Sequence, residues 1–244
     1  MGQDFTSRPD AFDAFAPLQF IAYDNHVRHI TFHQYPFPEF PNGLNKLLKI
    51  ETINFSSTQL EKLPDALDSL SSLRSLSIMG GKINQLPKSL KNLGALGTFL
   101  IQDNQLTSLP EEITALKSLR NLFLSSNQLS NLPDSLGNLE VLQDLNLSWN
   151  GISELPISFG ELSELRRLTL SKNKLSKLPE SVGKLHNLEE LWLHENNINS
   201  LPKSIMELDA LTNLQIEGNP IDDNPSQAVR KILEELRKKG VKID

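Results

Sequence analysis

The sequence predicts an α/β right-handed solenoid. Its concave face is a parallel sheet, its convex face carries short helical or 3₁₀ segments, and covering segments close both ends. Three observations predict it. Segments starting at Val27, Ile50, Leu73, Leu96, Leu119, Leu142, Leu165, Leu188 and Leu211 share one apolar template, spaced by 23 residues. Within each unit, period-two alternation gives way to a turn and then to apolar residues three apart. The residues before Val27 and after Asp223 do not follow the template, as the ends of a stacked array require.

The N-terminal segment, residues 1–26, clusters Phe12, Phe15, Leu18 and Phe20 behind a helix-start pattern at Ser7 to Pro9. It is expected to lid the first unit, because a solenoid exposes its core at each end.

Residues 27–223 hold the nine units. Apolar side chains occupy positions 1, 4, 6, 11, 14, 18 and 21, and "LRRLTLSKNKLSKLPESVGKLHN", residues 165–187, fills every slot. Positions 4 to 6 alternate as a half-buried strand does. Asn then stands at position 9 in six units: Asn104, Asn127, Asn150, Asn173, Asn196 and Asn219. Its amide donates and accepts, so it can satisfy backbone groups that leave the strand ladder at a turn. These six are therefore expected to form a structural ladder rather than a catalytic set. Tyr35, Thr58 and Gly81 replace it in the first three units, whose turns must be completed otherwise. The Leu-Pro pair at positions 14–15 fixes φ and removes a donor where the chain turns back. A short strand plus a short return cannot bury its own apolar face, so only stacked neighbours make a core.

The pattern "LxxLxLxxNxLxxLPxxxxxLxx" resembles the leucine-rich repeat, in the 23-residue Leu-Pro subclass seen in Ras-binding-type scaffolds and many bacterial repeat proteins. The resemblance covers roughly residues 27–223. It implies a horseshoe and a partner-binding role, and it leaves the partner unnamed.

Residues 224–244 read as a capping helix. Asn224, Pro225 and Gln227 fit N-cap, N1 and N3, while Val229, Ile232, Leu233 and Leu236 form one stripe. Arg237, Lys238 and Lys239 fill the last turn before Gly240, and a short strand at Val241–Ile243 is expected to follow. Lids at both ends imply a complete array forming one structural domain.

Positions 3, 5 and 7 of each strand should face outward from the concave sheet. Leu100 and Phe123 stand at position 5 in adjacent units, with Met79 diagonal to them at position 7 of the preceding one. Trp192 lies further along the same column, about 14 Å away, and Trp149 sits at position 8 of an intervening unit. No core needs these side chains, and aromatic residues and Met are enriched as interface anchors. The expected partner-binding set is Met79, Leu100, Phe123, Trp149 and Trp192, with Arg167, Glu190 and His194. Asp144, Arg166, Lys172 and Glu195 should form a solvated rim.

Ser171, His194 and Glu217 fall in one column, in the composition of a nucleophilic triad. An open sheet offers no oxyanion hole and does not exclude water, so no catalytic residue is assigned and the chain is expected not to be an enzyme. His26, His29 and His33 do not make a metal site, since the last two are about 13 Å apart along one strand. No cofactor is implied. Asn54-Phe55-Ser56 and Asn146-Leu147-Ser148 match the glycosylation sequon, but both lie within strands.

Acidic residues outnumber basic ones, 30 to 24, which disfavours nucleic acid and anionic membranes as partners. An apolar fraction of 38% suits a thin, elongated core. No run approaches a membrane span. The absence of cysteine fits a reducing or an oxidising compartment, so localisation stays open between the cytoplasm and secretion after signal removal. The expected function is non-enzymatic protein recognition on the concave face. The alternatives are a peptide or glycan receptor using the exposed aromatics and a regulatory arm of a larger assembly.

Overall fold

The structure, a computed structural model, describes residues 18–223 and 225–244. Among the described residues eleven strands form one open sheet in sequence order. Strands β1 (Leu18–Tyr23) and β2 (His26–His33) make an antiparallel hairpin. From β2 onward neighbours pair in parallel, through β3 (Thr52–Ser56), β4 (Ser75–Met79), β5 (Thr98–Gln102), β6 (Asn121–Phe123), β7 (Asp144–Asn146), β8 (Arg167–Thr169), β9 (Glu190–Trp192) and β10 (Asn213–Gln215) to β11 (Lys242–Ile243). From β2 to β10 the register is uniform, each residue facing the one 23 positions on, as Leu100 faces Phe123 and Thr169 faces Trp192, whereas β11 departs from it, Asn213 facing Lys242. The chain is thus a right-handed solenoid of stacked coils, as the period predicts.

The return path is built by proline. Six 3₁₀ turns, among them Glu111–Ala115, Ile157–Glu161 and Glu180–Lys184, directly follow a Pro in extended conformation. The proline carbonyl accepts from the N–H of the third residue of the turn, as Pro110 does from Ile113 at 3.0 Å and Pro179 from Val182 at 3.1 Å. A residue without its own donor suits a site that only accepts. Template leucines from strands and turns then merge in one continuous core.

The asparagine ladder has a direction. Oδ1 of Asn173 accepts from Ile152 N at 3.0 Å, and its Nδ2 donates to the carbonyls of Leu147 at 2.9 Å and Leu170 at 3.0 Å. Asn127, Asn150, Asn196 and Asn219 repeat this pattern, and Asn104 nearly so. Each amide therefore closes the turn of the preceding coil. Where asparagine is missing, the turns are met differently. Thr58 Oγ1 accepts from Leu60 N at 3.1 Å, and Tyr35 packs edge-on against Phe32 and Phe55. Gly81 leaves room for the Asn104 amide, which a Cβ would meet at 2.5 Å.

On the convex side, Gly137, Gly160 and Gly183 occupy the same position of three successive units. A Cβ on Gly160 would lie 2.2 Å from the Ser181 carbonyl oxygen of the next coil, and one on Gly137 would lie 2.1 Å from that of Ser158. Backbones thus touch there with no side chain between them.

The ends differ from expectation in detail. Phe12 and Phe15 lie outside the described residues. Leu18 and Phe20 belong to β1, so the last part of the N-terminal segment is a strand that extends the sheet. Asp24 and Asn25 turn the hairpin with φ of 50° and 61°, a two-residue loop with both residues left-handed. At the C-terminus, helix α1 (Pro220–Asp223) precedes helix α2 (Gln227–Lys238). The expected N-cap, Asn224, lies outside the described residues. The helix starts later than predicted: Ser226 is the N-cap, its hydroxyl accepting from Val229 N at 3.3 Å, and Pro225 stands before the cap rather than at N1. Ser is as good a cap as Asn, and its spacing to Val229 places the acceptor on the third helical N–H. Val229, Ile232, Leu233 and Leu236 are buried as one stripe. Gly240, at φ 91°, ends the helix, with Gly240 N bonding Arg237 O at 3.0 Å and Val241 N bonding Leu236 O at 3.1 Å.

Candidate functional site

Strand alternation sorts the concave side chains. Leu122 and Leu124 are fully buried while Phe123 between them is half-buried, because successive Cβ atoms leave opposite faces of the sheet. Position 5 makes a single column across the pairs Ser77–Leu100, Leu100–Phe123, Phe123–Asn146, Asn146–Thr169, Thr169–Trp192 and Trp192–Gln215. Leu100, Phe123 and Trp192 keep part of their surface in water, and Met79 is 39% exposed beside them. The column therefore holds the apolar side chains expected there, two of them directly paired.

Trp149 stands apart, at the turn. It is 58% exposed, and its backbone is left-handed, at φ 56°. The Lys172 ammonium lies 3.8 Å from its ring centroid and is held by Glu195 at 3.2 Å. One ring face is thus occupied by a cation from the next coil.

The same left-handed conformation recurs at position 8 of all nine coils, in Gln34, Ser57, Gly80, Asp103, Ser126, Trp149, Lys172, Glu195 and Gly218. Bulky residues tolerate it poorly, so the surrounding turn must impose it. Sequence reasoning did not see this feature. Its one signal was glycine at the same position in two units.

The charged rim is largely paired within itself. Arg167 donates from Nε to Asp144 Oδ1 and from Nη2 to Oδ2, the second at 2.9 Å, in a two-point grip. The hydrogen bond and charge of Asp144 hold the Arg167 pKa above its ordinary value, with Glu190 and Glu189 adding to it. Arg166 pairs with Glu189 at 2.9 Å. Glu190 makes no ion pair among the described residues. Trp192 turns its Nε1 edge inward, where the atom is buried without a hydrogen-bond partner among the described residues. Its exposed surface is therefore ring carbon.

His194 Nδ1 lies 2.9 Å from Ser171 Oγ, so two members of the triad-like column do meet. Glu217 makes no hydrogen bond with His194, and Ser171 is 2% exposed. His33 and Ser56 repeat the contact at 2.8 Å at the other end of the array, in the reverse order. A bond that recurs wherever His and Ser are neighbours in this column is a lateral tie between strands. His26 bonds the Asp24 carbonyl at 2.6 Å, and among the described residues no three His, Cys, Asp or Glu side chains could hold a metal ion. Both sequon asparagines are engaged: Asn54 Nδ2 donates to Thr31 Oγ1 at 3.4 Å and Asn146 Oδ1 accepts from Ser148 N at 3.0 Å. No helix among the described residues is long and apolar enough to cross a membrane.

Comparison with known proteins agrees with this geometry. Among solved structures, a leucine-rich repeat protein of Leptospira interrogans is 25% identical, with a TM-score of 0.70 over 90% of this chain and 60% of that one. A plant peptide hormone receptor solved in complex with RGF2 is 27% identical, with a TM-score of 0.71 over 84% of this chain and 33% of the receptor. The leucine-rich repeat domain of the type III effector XopL, 24% identical with a TM-score of 0.72, shares the fold over 82% of this chain and 74% of its own. The chain thus spans less than two thirds of the Leptospira protein and about a third of the plant receptor. No curated protein matches it. A family profile described as leucine-rich repeat region matches residues 65–148 and 113–238, well over half of the sequence. The chain belongs to the leucine-rich repeat family.

Proposed function

We propose that the chain is a non-enzymatic recognition protein that binds another protein on its concave face. The observation that carries the reading is the position 5 column, where Leu100 and Phe123 pair side by side and stay partly in water with Met79 exposed beside them. Trp192 and Trp149 extend this surface, and Arg167, Glu190 and His194 border it. Strands hold these side chains in place before a partner arrives, so little ordering entropy opposes binding. Terminal segments 1–26 and 224–244 serve the nine-coil array of 27–223 as lids in this reading. Arginine and aromatic side chains at an interface centre dominate affinity, so truncating them is the direct test.

Affinity capture with wild type and the Phe123→Ala/Trp192→Ala double variant should recover a partner only with the former. Each single change is expected to cost about 2 kcal/mol of binding while leaving the melting temperature nearly unchanged. Equal capture by both proteins refutes the reading. A peptide-receptor role is the second reading, favoured by the similarity to a peptide hormone receptor.

A further inference from the structure

The inner face is not electrically neutral. In the outward columns of the nine coils and at the turn position beside them, the acids are Asp103, Asp144, Glu190, Glu195 and Glu217 and the bases are Arg167 and Lys172, so five against two leaves three negative charges in excess, which β11 does not change because its Lys242 is ion-paired to Asp244 at 3.0 Å. Both bases are already engaged, Arg167 by Asp144 and Lys172 by Glu195. Asp103, Glu190 and Glu217 make no ion pair among the described residues. Two of these three surround Trp192. Glu190 precedes it by two residues on β9, about 6.6 Å along the strand, and Glu217 lies one strand over and two residues on, about 8 Å away.

The protein contains a finished version of this arrangement a short distance off. Trp149 carries the Lys172 ammonium at 3.8 Å, and Glu195 neutralises it at 3.2 Å: indole, cation and carboxylate together. Around Trp192 the indole and the carboxylates are present, and this chain places no lysine or arginine ion-paired to either one. A cation from outside would gain both the ring quadrupole and the carboxylate charge.

We propose that the concave face takes an extended segment of a partner protein bearing one bulky apolar residue and one lysine or arginine. The apolar residue sits against Leu100 and Phe123, and the cation rests on Trp192 between Glu190 and Glu217. The spacing follows from register. Phe123 and Trp192 are three strand steps apart, about 14 Å, and extended chain advances about 3.3 Å per residue, so the two anchors are about four residues apart. This inference rests on the concave face being the binding surface, and it adds the chemistry of what binds.

The test is a phage-displayed random peptide library selected on the full chain, followed by fluorescence anisotropy of the selected peptides. The expected peptides share a bulky apolar residue and a lysine or arginine about four positions apart. Their affinity should fall about tenfold on the Glu190→Gln/Glu217→Gln variant, and a Lys→Gln peptide should lose as much on wild type but little more on that variant. Peptides that require Phe123 yet show no basic residue, or bind the Gln variant equally well, overturn the inference and leave the concave reading standing. Peptides indifferent to Phe123→Ala and Trp192→Ala, or a library with no binder above background, overturn both.

Discussion

Replacing Gly160 by alanine adds one methyl group at the tightest class of contact between coils. The new Cβ would lie 2.2 Å from the Ser181 carbonyl oxygen and 2.8 Å from both its carbonyl carbon and its Cβ. Ordinary contact begins near 3.4 Å, so the two coils must part by about 1.2 Å, the difference between 3.4 and 2.2. The obstacle is backbone, which has no rotamer to escape into. Overpacking of this kind costs about 1–3 kcal/mol, and the middle of that range lowers the melting temperature by roughly 4–8 °C in a chain of this size. Gly94 is the internal control, because a Cβ there meets nothing within 4 Å. Gly94→Ala should stabilise by about 0.5 kcal/mol through the unfolded chain. Urea and thermal denaturation of both variants read the difference, which has opposite signs at the two sites. Equal behaviour would mean that the convex backbones are not in contact, and the packing described for the coils would be wrong.

Three further outcomes are expected. Asn173→Ala orphans the Ile152 N–H and removes a donor from three carbonyls, those of Leu147, Leu170 and Ser171, and should cost about 3 kcal/mol in chemical denaturation; a loss below 1 kcal/mol would deny the ladder its role. Ser226→Ala removes the cap of α2 and should cost about 1 kcal/mol, with Ser226→Asp restoring most of it. A fluorophosphonate probe should leave Ser171 unmodified, and mass-spectrometric detection of an adduct lost in His194→Ala would establish a hydrolytic site instead.

Much of the fold was legible because the same side chains recur in the same slots. Leu122 and Leu124 inside, Phe123 outside, and Asn127 at the turn all follow from alternation and amide chemistry. The register needed only the 23-residue period. What escaped notice depends on backbone shape. The left-handed residue at position 8 is glycine in Gly80 and Gly218 but Gln, Ser, Asp, Trp, Lys or Glu in the other seven coils, so the turn imposes a conformation that only two of the nine residues advertise. The Asp24-Asn25 hairpin has a usable signal, two residues that both accept positive φ between alternating strands, but it lies outside the 23-residue period from which the rest of the sheet is legible. The helix start was misplaced by two residues because Pro225 fits N1 as a pattern, while the actual cap is the next hydroxyl along. At the candidate site the column was readable, but its partners were not. Asp144 gripping Arg167, and Lys172 seated on Trp149, depend on rotamers that only packing decides.

The backward reach of the asparagines has a bearing on synthesis. Asn196 serves Ile198's predecessors in the coil before it, taking the Leu175 N–H 21 residues earlier and the Leu170 carbonyl 26 residues earlier. A coil leaving the ribosome therefore waits for the next one to finish it. The growing end is always incomplete, and Asn219 completes the eighth coil but has no successor to complete its own. There the chain doubles back: Ile216 N donates to the Asp244 carbonyl and Ile221 N to that of Ile198. The strand that follows α2 thus covers the edge that a tenth coil would otherwise have to complete.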